Sequence, residues 1–263
     1  MRWRILGPVE VTVGGRVLGI RRPQQRGVLA LLLLNADRLV TTRQITEALW
    51  ADPAPASART QVQVCVSQLR AALRPVGLGS VLTSCAGGYR LEVGDAGLDL
   101  AEFRAAVDQA RAVAREQPAV AAERLRAGLA LWRGPALTGA SGAFVESAAT
   151  ALAEQRLTAY EELADLELAT GRHGEVVRTL SPLVDAHPLR ERLVGQLMLG
   201  LAGCGQQAQA LRLYTGTRAR LVDELGVEPA AELAAVHLRV LRQETTVPLA
   251  GAAPAAPVDP AVP

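Results

Sequence analysis

The chain has 263 residues, 49% of them hydrophobic but only 3% aromatic, so it can bury one large core or two smaller ones built mainly from Leu, Val and Ala. The 28 basic residues, every one an arginine, meet 26 acids for a net charge of +2. The longest purely apolar run, VLALLLL at 28–34, is far below the roughly 20 residues of a bilayer span, and the opening MRWRILGPVEVTVGG carries Glu10 within a strand-like pattern, which excludes a membrane helix and a signal peptide.

The near-neutral total hides a division. Residues 1–93 hold twelve arginines against five acids, whereas residues 94–243 hold sixteen against nineteen. A basic first part points to a polyanionic partner for that part alone. Cys65, Cys85 and Cys204 are odd in number and lack metal-ligand spacing, which reads as reduced thiols in a cytoplasm.

In chain order, RWRILGPVEVTV reads as one or two strands broken at Gly7-Pro8, with Gly14-Gly15 turning into RVLGI. Pro23 opens a helix that ends near Asn35. Thr41 and Gln44 form a capping box for TTRQITEALW, where Ile45, Ala48 and Leu49 share a face. The loop ADPAPA stops that helix with its prolines. Next comes SARTQVQVCVSQLRAALR, in which Val62, Val66, Leu69 and Leu73 line up at helical spacing. Opposite lie Thr60, Gln63, Val64, Ser67 and, at the margin, Gln68, with Arg59, Arg70 and Arg74 flanking and no acid anywhere in the segment. An ordinary solvated face mixes both signs of charge. SVLTS and YRLEV then read as two strands around a Gly-Gly turn. Small sheet, three helices and hairpin is the layout of a winged helix-turn-helix, with the third helix for the major groove and the hairpin as wing.

GDAGL at 94–98 marks a boundary, after which helices are expected at 99–116, 119–132, 143–170, 173–186, 189–203, 206–224 and 229–243. GRHGEVVRTL from Gly171 and GQQAQALRLY from Gly205 repeat at the 34-residue tetratricopeptide period. The fold class is therefore mainly α with a small β part: an N-terminal winged helix-turn-helix (1–93), an all-α tetratricopeptide-like domain (99–243) and a proline-rich tail (244–263) expected to be disordered.

On the strings LLLNADRLVTTRQITEALW, SARTQVQVCVSQLRAAL and GGYRLEV, then LALWRGPAL, LATGRHGEVVRTLSPLVDAHPLRERLVGQLM and ALRLYTGTRARLVDELGVEP, the chain resembles the Streptomyces antibiotic regulatory protein family. That family joins an OmpR-type winged helix to a bacterial transcriptional activator domain. The resemblance implies a cytoplasmic activator of a biosynthetic gene cluster. It implies binding to tandem direct repeats of double-stranded DNA as side-by-side copies, a homodimer on DNA, and recruitment of RNA polymerase, with the loop Ala51 to Ala56 as a polymerase contact. No receiver domain precedes the winged helix, so phosphorylation by that route is not expected. Cys65 stands where relatives commonly have Tyr or His, Gln68 where they often have Arg, and the wing near Ser84, Cys85 and Ala86 is poor in cations.

Gln suits adenine edges, Ser either base, and an apolar methyl the thymine methyl, so base reading falls to Gln61, Gln63, Val64, Ser67 and Gln68. Phosphate contact or positioning falls to Arg43, Thr42, Arg59, Thr60, Arg70 and Arg90, the last beside the wing turn. Cys65 reads as a packing residue, and Trp50 and Trp132 as core. His173, His187 and His237 lie outside any metal or triad pattern, GASGAF at 139–144 is a loop rather than a phosphate cradle, and no cofactor or enzyme motif is present. A repeat-based adaptor or ligand sensor with weak DNA binding, or a repressor using the same winged helix, remains open as an alternative.

Overall fold

The computed structural model describes residues 1–50, 53–94 and 97–244. The tail from 245 onward lies outside the described residues, as do Ala51 and Asp52 of the loop read as a polymerase contact and Asp95 and Ala96 of the boundary. The described residues form two compact units, one of Met1–Gln109 with Arg124–Thr158, the other of Ala110–Glu123 with the residues from Ala159 to Glu244. Neither begins or ends at 94–98.

In the first unit, β1 (Arg2–Arg4), β2 (Glu10–Val13) and β3 (Arg16–Val17) follow the expected meander. α1 (Pro23–Leu34) starts at the proline, as its preset φ and missing N–H favour. β4 (Val40–Thr41) leads into α2 (Thr42–Leu49) and then α3 (Ala58–Leu73). β5 (Leu82–Cys85) and β6 (Gly88–Leu91) make the hairpin, with β4 paired on β6 as a third strand. β7 (Gly97–Leu98) pairs parallel with β1. Two-residue strands such as β4 and β7 have no period to betray them, and the sequence reading did not anticipate either.

α4 (Asp99–Val113), α5 (Pro118–Leu129) and α6 (Val145–Ala169) follow. The carboxylate of Asp99, 6% exposed, accepts the backbone N–H of Ile5 at 2.9 Å and of Leu6 at 3.0 Å, so the start of α4 ties down the segment after β1. Burial pushes this carboxyl upward from its ordinary value, against the pull of those amides and of Arg133. From the other side the Arg133 N–H donates to the Leu6 carbonyl, Leu137 to Ile5 and Thr138 to Gly7. Phe103 and Trp132 meet edge to face at 5.5 Å, and Trp132 is buried as expected, whereas Trp50 is half-exposed.

The loop 139–144 seats on α1 and α2: Ser141 N–H donates to Pro23 and Phe144 N–H to Ala48. It comes so close that a Cβ on Gly27 would stand 2.0 Å from the Ser141 carbonyl oxygen. Gly27 sits inside α1, where glycine is a poor choice for a helix; the approach of this loop explains it.

In the second unit α7 (His173–Ala186) packs on α8 (Glu191–Gly203), α8 on α9 (Gln207–Leu225), and α10 (Ala231–Leu241) on both α8 and α9. α8 is the hub, buried continuously from Leu193 to Leu201. The repeat read in the sequence is structural: Gly171 and Gly205 occupy equivalent left-handed positions, φ 73° and 77°, just before α7 and α9. No helix among the described residues is long and apolar enough to cross a membrane.

Two alanine substitutions are expected to move in opposite directions. Gly27→Ala should lower stability by about 1–3 kcal/mol because a core contact is overfilled. Gly216→Ala, inside α9 with nothing within 4 Å of an added Cβ, should raise it by about 0.5–1 kcal/mol. Denaturant unfolding of the two variants beside the parent checks both.

Candidate nucleic-acid interface

The candidate site is built on α3. Its apolar stripe is as the spacing implied: Val62, Val66, Leu69 and Leu73 are each at most 1% exposed, facing α1 and α2. Cys65 joins that side at 6%, and burial pushes its thiol upward despite the nearby Arg22, which keeps it protonated and a poor nucleophile. The opposite side presents Arg59, Thr60, Gln63, Val64, Ser67, Ala71 and Arg74, all exposed. Val64 is 46% exposed, so its methyl groups are open to a partner.

The proposed base-reading residues divide into two groups. Gln63, Val64 and Ser67 stand together on the open face. Gln61 and Gln68 are half-buried and turned to α1, where Gln24 donates to Gln61 at 3.3 Å and Gln25 to Gln68. These two amides tie one margin of α3 to α1 and lie beside the open face rather than on it. Gln61 also donates to Ser57 at 2.8 Å.

The positioning residues are likewise uneven. α2 begins with the capping box complete: Thr41 Oγ1 accepts from Gln44 N–H, and the Gln44 side chain accepts from Thr41 N–H. The Thr42 N–H donates to the Gly87 carbonyl at the wing turn, at 2.9 Å, so a helix-start contact to a phosphate falls to the half-exposed Thr42 side chain rather than to this amide. Thr42, Arg43, Thr46, Glu47, Arg59 and Gly87 surround a hollow of about 440 Å³ at the junction of α2, α3 and the wing. Thr46, Glu47 and Gly87 are members that sequence spacing did not single out; only the folded juxtaposition adds them. Arg43 donates to Glu47 at 2.7 Å, and that bond and the carboxylate charge raise its pKa further above the physiological range. Arg90 pairs with Glu92 across 3.4 Å.

Arg70 differs from all of these. Its Nε donates to the Leu82 carbonyl at 2.8 Å, its terminal nitrogen to Ser84 Oγ at 2.9 Å, and its guanidinium lies 6.0 Å from the Tyr89 ring centroid. In this arrangement it braces the wing against α3.

Sequence comparison relates both parts of the chain to known domain families. Residues 21–91 match the C-terminal domain family of transcriptional regulatory proteins, and residues 98–241 match the bacterial transcriptional activator domain. The chain is 38% identical to the regulatory protein AfsR of Streptomyces coelicolor over 93% of its own length, and spans only 24% of that protein. It is 36% identical to the transcriptional regulator RedD of the same organism, covering 97% of this chain and 75% of RedD. Among solved structures, Mycobacterium tuberculosis EmbR, in complex with a low-affinity phosphopeptide, superposes with a TM-score of 0.85 at 36% identity, over 92% of this chain and 65% of that one.

Arg70→Ala should free the hairpin from α3. The expected result is amide hydrogen exchange about tenfold faster across 82–91, as the loss of one to two brace hydrogen bonds would give, with the helices of the second unit unchanged. Exchange monitored by mass spectrometry checks it.

Proposed function

Since the chain belongs to the Streptomyces antibiotic regulatory protein family of transcriptional regulators, we propose that it is a sequence-specific DNA-binding activator of a secondary-metabolite gene cluster. It works in the cytoplasm, on tandem direct repeats beside a promoter, as two copies side by side. Residues 1–93 carry the DNA contacts. Residues 99–243 carry protein contacts, to the second copy and to RNA polymerase.

The observation that carries this reading is the exposed, acid-free face of α3. Gln63, Val64 and Ser67 occupy its open side, with Arg59 and Thr60 at its N-terminal end. Such a face on a helix whose other side is buried fits the major groove, which is wide enough for a helix and displays donors, acceptors and thymine methyls to it. Gln63 and Ser67 read base edges, and Val64 packs on a thymine methyl. Gln61 and Gln68 set the angle of α3 and reach only the rim of the contact. Arg59 and Arg43, at the hollow between α2, α3 and the wing, grip phosphate, with Thr42 and Thr60 beside them. Arg90, at the wing, follows the backbone, and Arg70 holds that wing in place. Counterion release then makes affinity fall with salt.

Footprinting on promoters adjacent to the protein's own gene, with transcription by purified polymerase in the same reaction, tests the whole reading. Protection of a repeated element together with increased transcript is expected; protection with reduced transcript would make the protein a repressor instead. Within that assay Gln63→Ala should change the preferred base at one position of each repeat. Arg59→Ala should weaken every sequence alike and reduce the slope of log affinity against log salt by about one. Binding that does not respond to salt would count against the proposal.

A further inference from the structure

The second unit contains a cavity that the DNA reading does not use. It has a volume of about 520 Å³ and lies among α6, α8 and the start of α10. That is within the roughly 300–1,000 Å³ usual for small-molecule sites. Its floor is apolar, formed by Gly195 and Leu199 of α8 with Leu233 and Val236 of α10. Absence of a side chain at Gly195 opens the floor: a Cβ there would meet only Leu233 and Val236, at 3.6 Å.

The polar groups of the wall are one-sided in charge. Arg192, the one cation among the described lining residues, is paired with Asp165 at 2.8 Å. Glu191 and the exposed Glu232 are left as net negative charge at the mouth, with only a backbone N–H, that of Ala230, on Glu191. Gln196, 5% exposed, lines the wall as well. Its Nε2 donates to the Glu161 carbonyl at 2.8 Å and to Asp165 Oδ1 at 2.5 Å, and two acceptors on one atom fix it as the nitrogen. Its Oε1 is therefore turned the other way, and no donor among the described residues reaches it. Apolar floor and anionic mouth favour the same occupant.

We propose that this cavity binds a small organic cation, an amine or amidine carried on an apolar body of one or two rings. The apolar body displaces water from Leu199, Leu233 and Val236. The charged nitrogen sits at the mouth beside Glu232 and Glu191. This inference stands on the second unit alone and does not require the DNA reading.

The test titrates the full chain by calorimetry with three probes of one shape: 2-naphthylmethylammonium, 2-naphthylmethanol and 2-naphthoate. The ammonium compound should bind about tenfold tighter than the alcohol, and the carboxylate weakest of the three. Glu232→Gln, a change at an exposed residue, should narrow the ammonium advantage about threefold while leaving the alcohol unchanged. Val236→Trp should abolish binding of all three; Gly195→Ala, which fits without displacement, should weaken all three and serves if the tryptophan variant does not fold. Equal affinity for the three probes, absence of ammonium binding in the millimolar range, or binding indifferent to the floor substitutions would overturn the proposal.

Discussion

Burial of the Val62, Val66, Leu69 and Leu73 side of α3 against α1 and α2 decides which residues face outward. Each such side chain contributes roughly 1.5–3 kcal/mol relative to exposure, and together they outweigh any preference of the polar residues for a particular direction. Rotating the helix by one residue, about 100°, would bring Gln63 and Ser67 into the buried sites of Val62 and Val66. The open face is thus a consequence of the apolar one. The amides of Gln61 and Gln68, two turns apart on one flank of α3, refine the orientation by bonding to Gln24 and Gln25 of α1. Hydrogen bonds between neutral side chains at a half-exposed edge are weak individually, but two of them along one flank fix how that flank meets α1.

The small N-terminal unit needs help from beyond it in sequence. Its first strands are two to four residues long and its sheets are narrow. Strands this short form few ladder hydrogen bonds of their own, so contacts from outside the sheets add to their anchoring. The Asp99 carboxylate at the head of α4 and the backbone of 133–138 hold the segment Ile5–Gly7 from two sides. The loop 139–144 does the same for α1 and α2 through Pro23, Ala48 and the notch left by Gly27. Covalent order and compact unit therefore part company: residues 124–158 follow the composition shift at 94–98 yet fold with the residues that precede it.

This explains which features could be read from the sequence. The α2 cap, the stripe on α3, the Gly-Gly wing turn and the 34-residue repeat are all local, within one helical turn, one hairpin or one period, and local spacing reports them. The pairing of β7 with β1, the seating of Ser141 on Gly27 and the attachment of Gln68 to Gln25 join residues far apart in sequence. Nothing in the composition of GASGAF distinguishes a loop hanging in solvent from one packed against a helix. The candidate site was legible to the same extent. Gln63, Val64 and Ser67 follow from helical phase, whereas the fact that Gln61 and Gln68 are engaged with α1 depends on what α1 places opposite them.

Arginine chemistry sets the final constraint. A count of twelve arginines in residues 1–93 treats them as equal, but their engagements differ. Arg43 and Arg90 are held by exposed carboxylates of Glu47 and Glu92. Exposed pairs are worth little, so a phosphate can replace those carboxylates at small cost. Arg70 reaches a backbone carbonyl and a hydroxyl at once, a forked geometry that a lysine ammonium does not reproduce. Moving it onto a phosphate would strand the Leu82 carbonyl and release the wing. The charge available to a polyanion therefore lies at the exchangeable positions around the hollow and at Arg59, while Arg70 keeps the surface in shape. Grip and shape are divided between residues of one chemical type, and only their neighbours tell them apart.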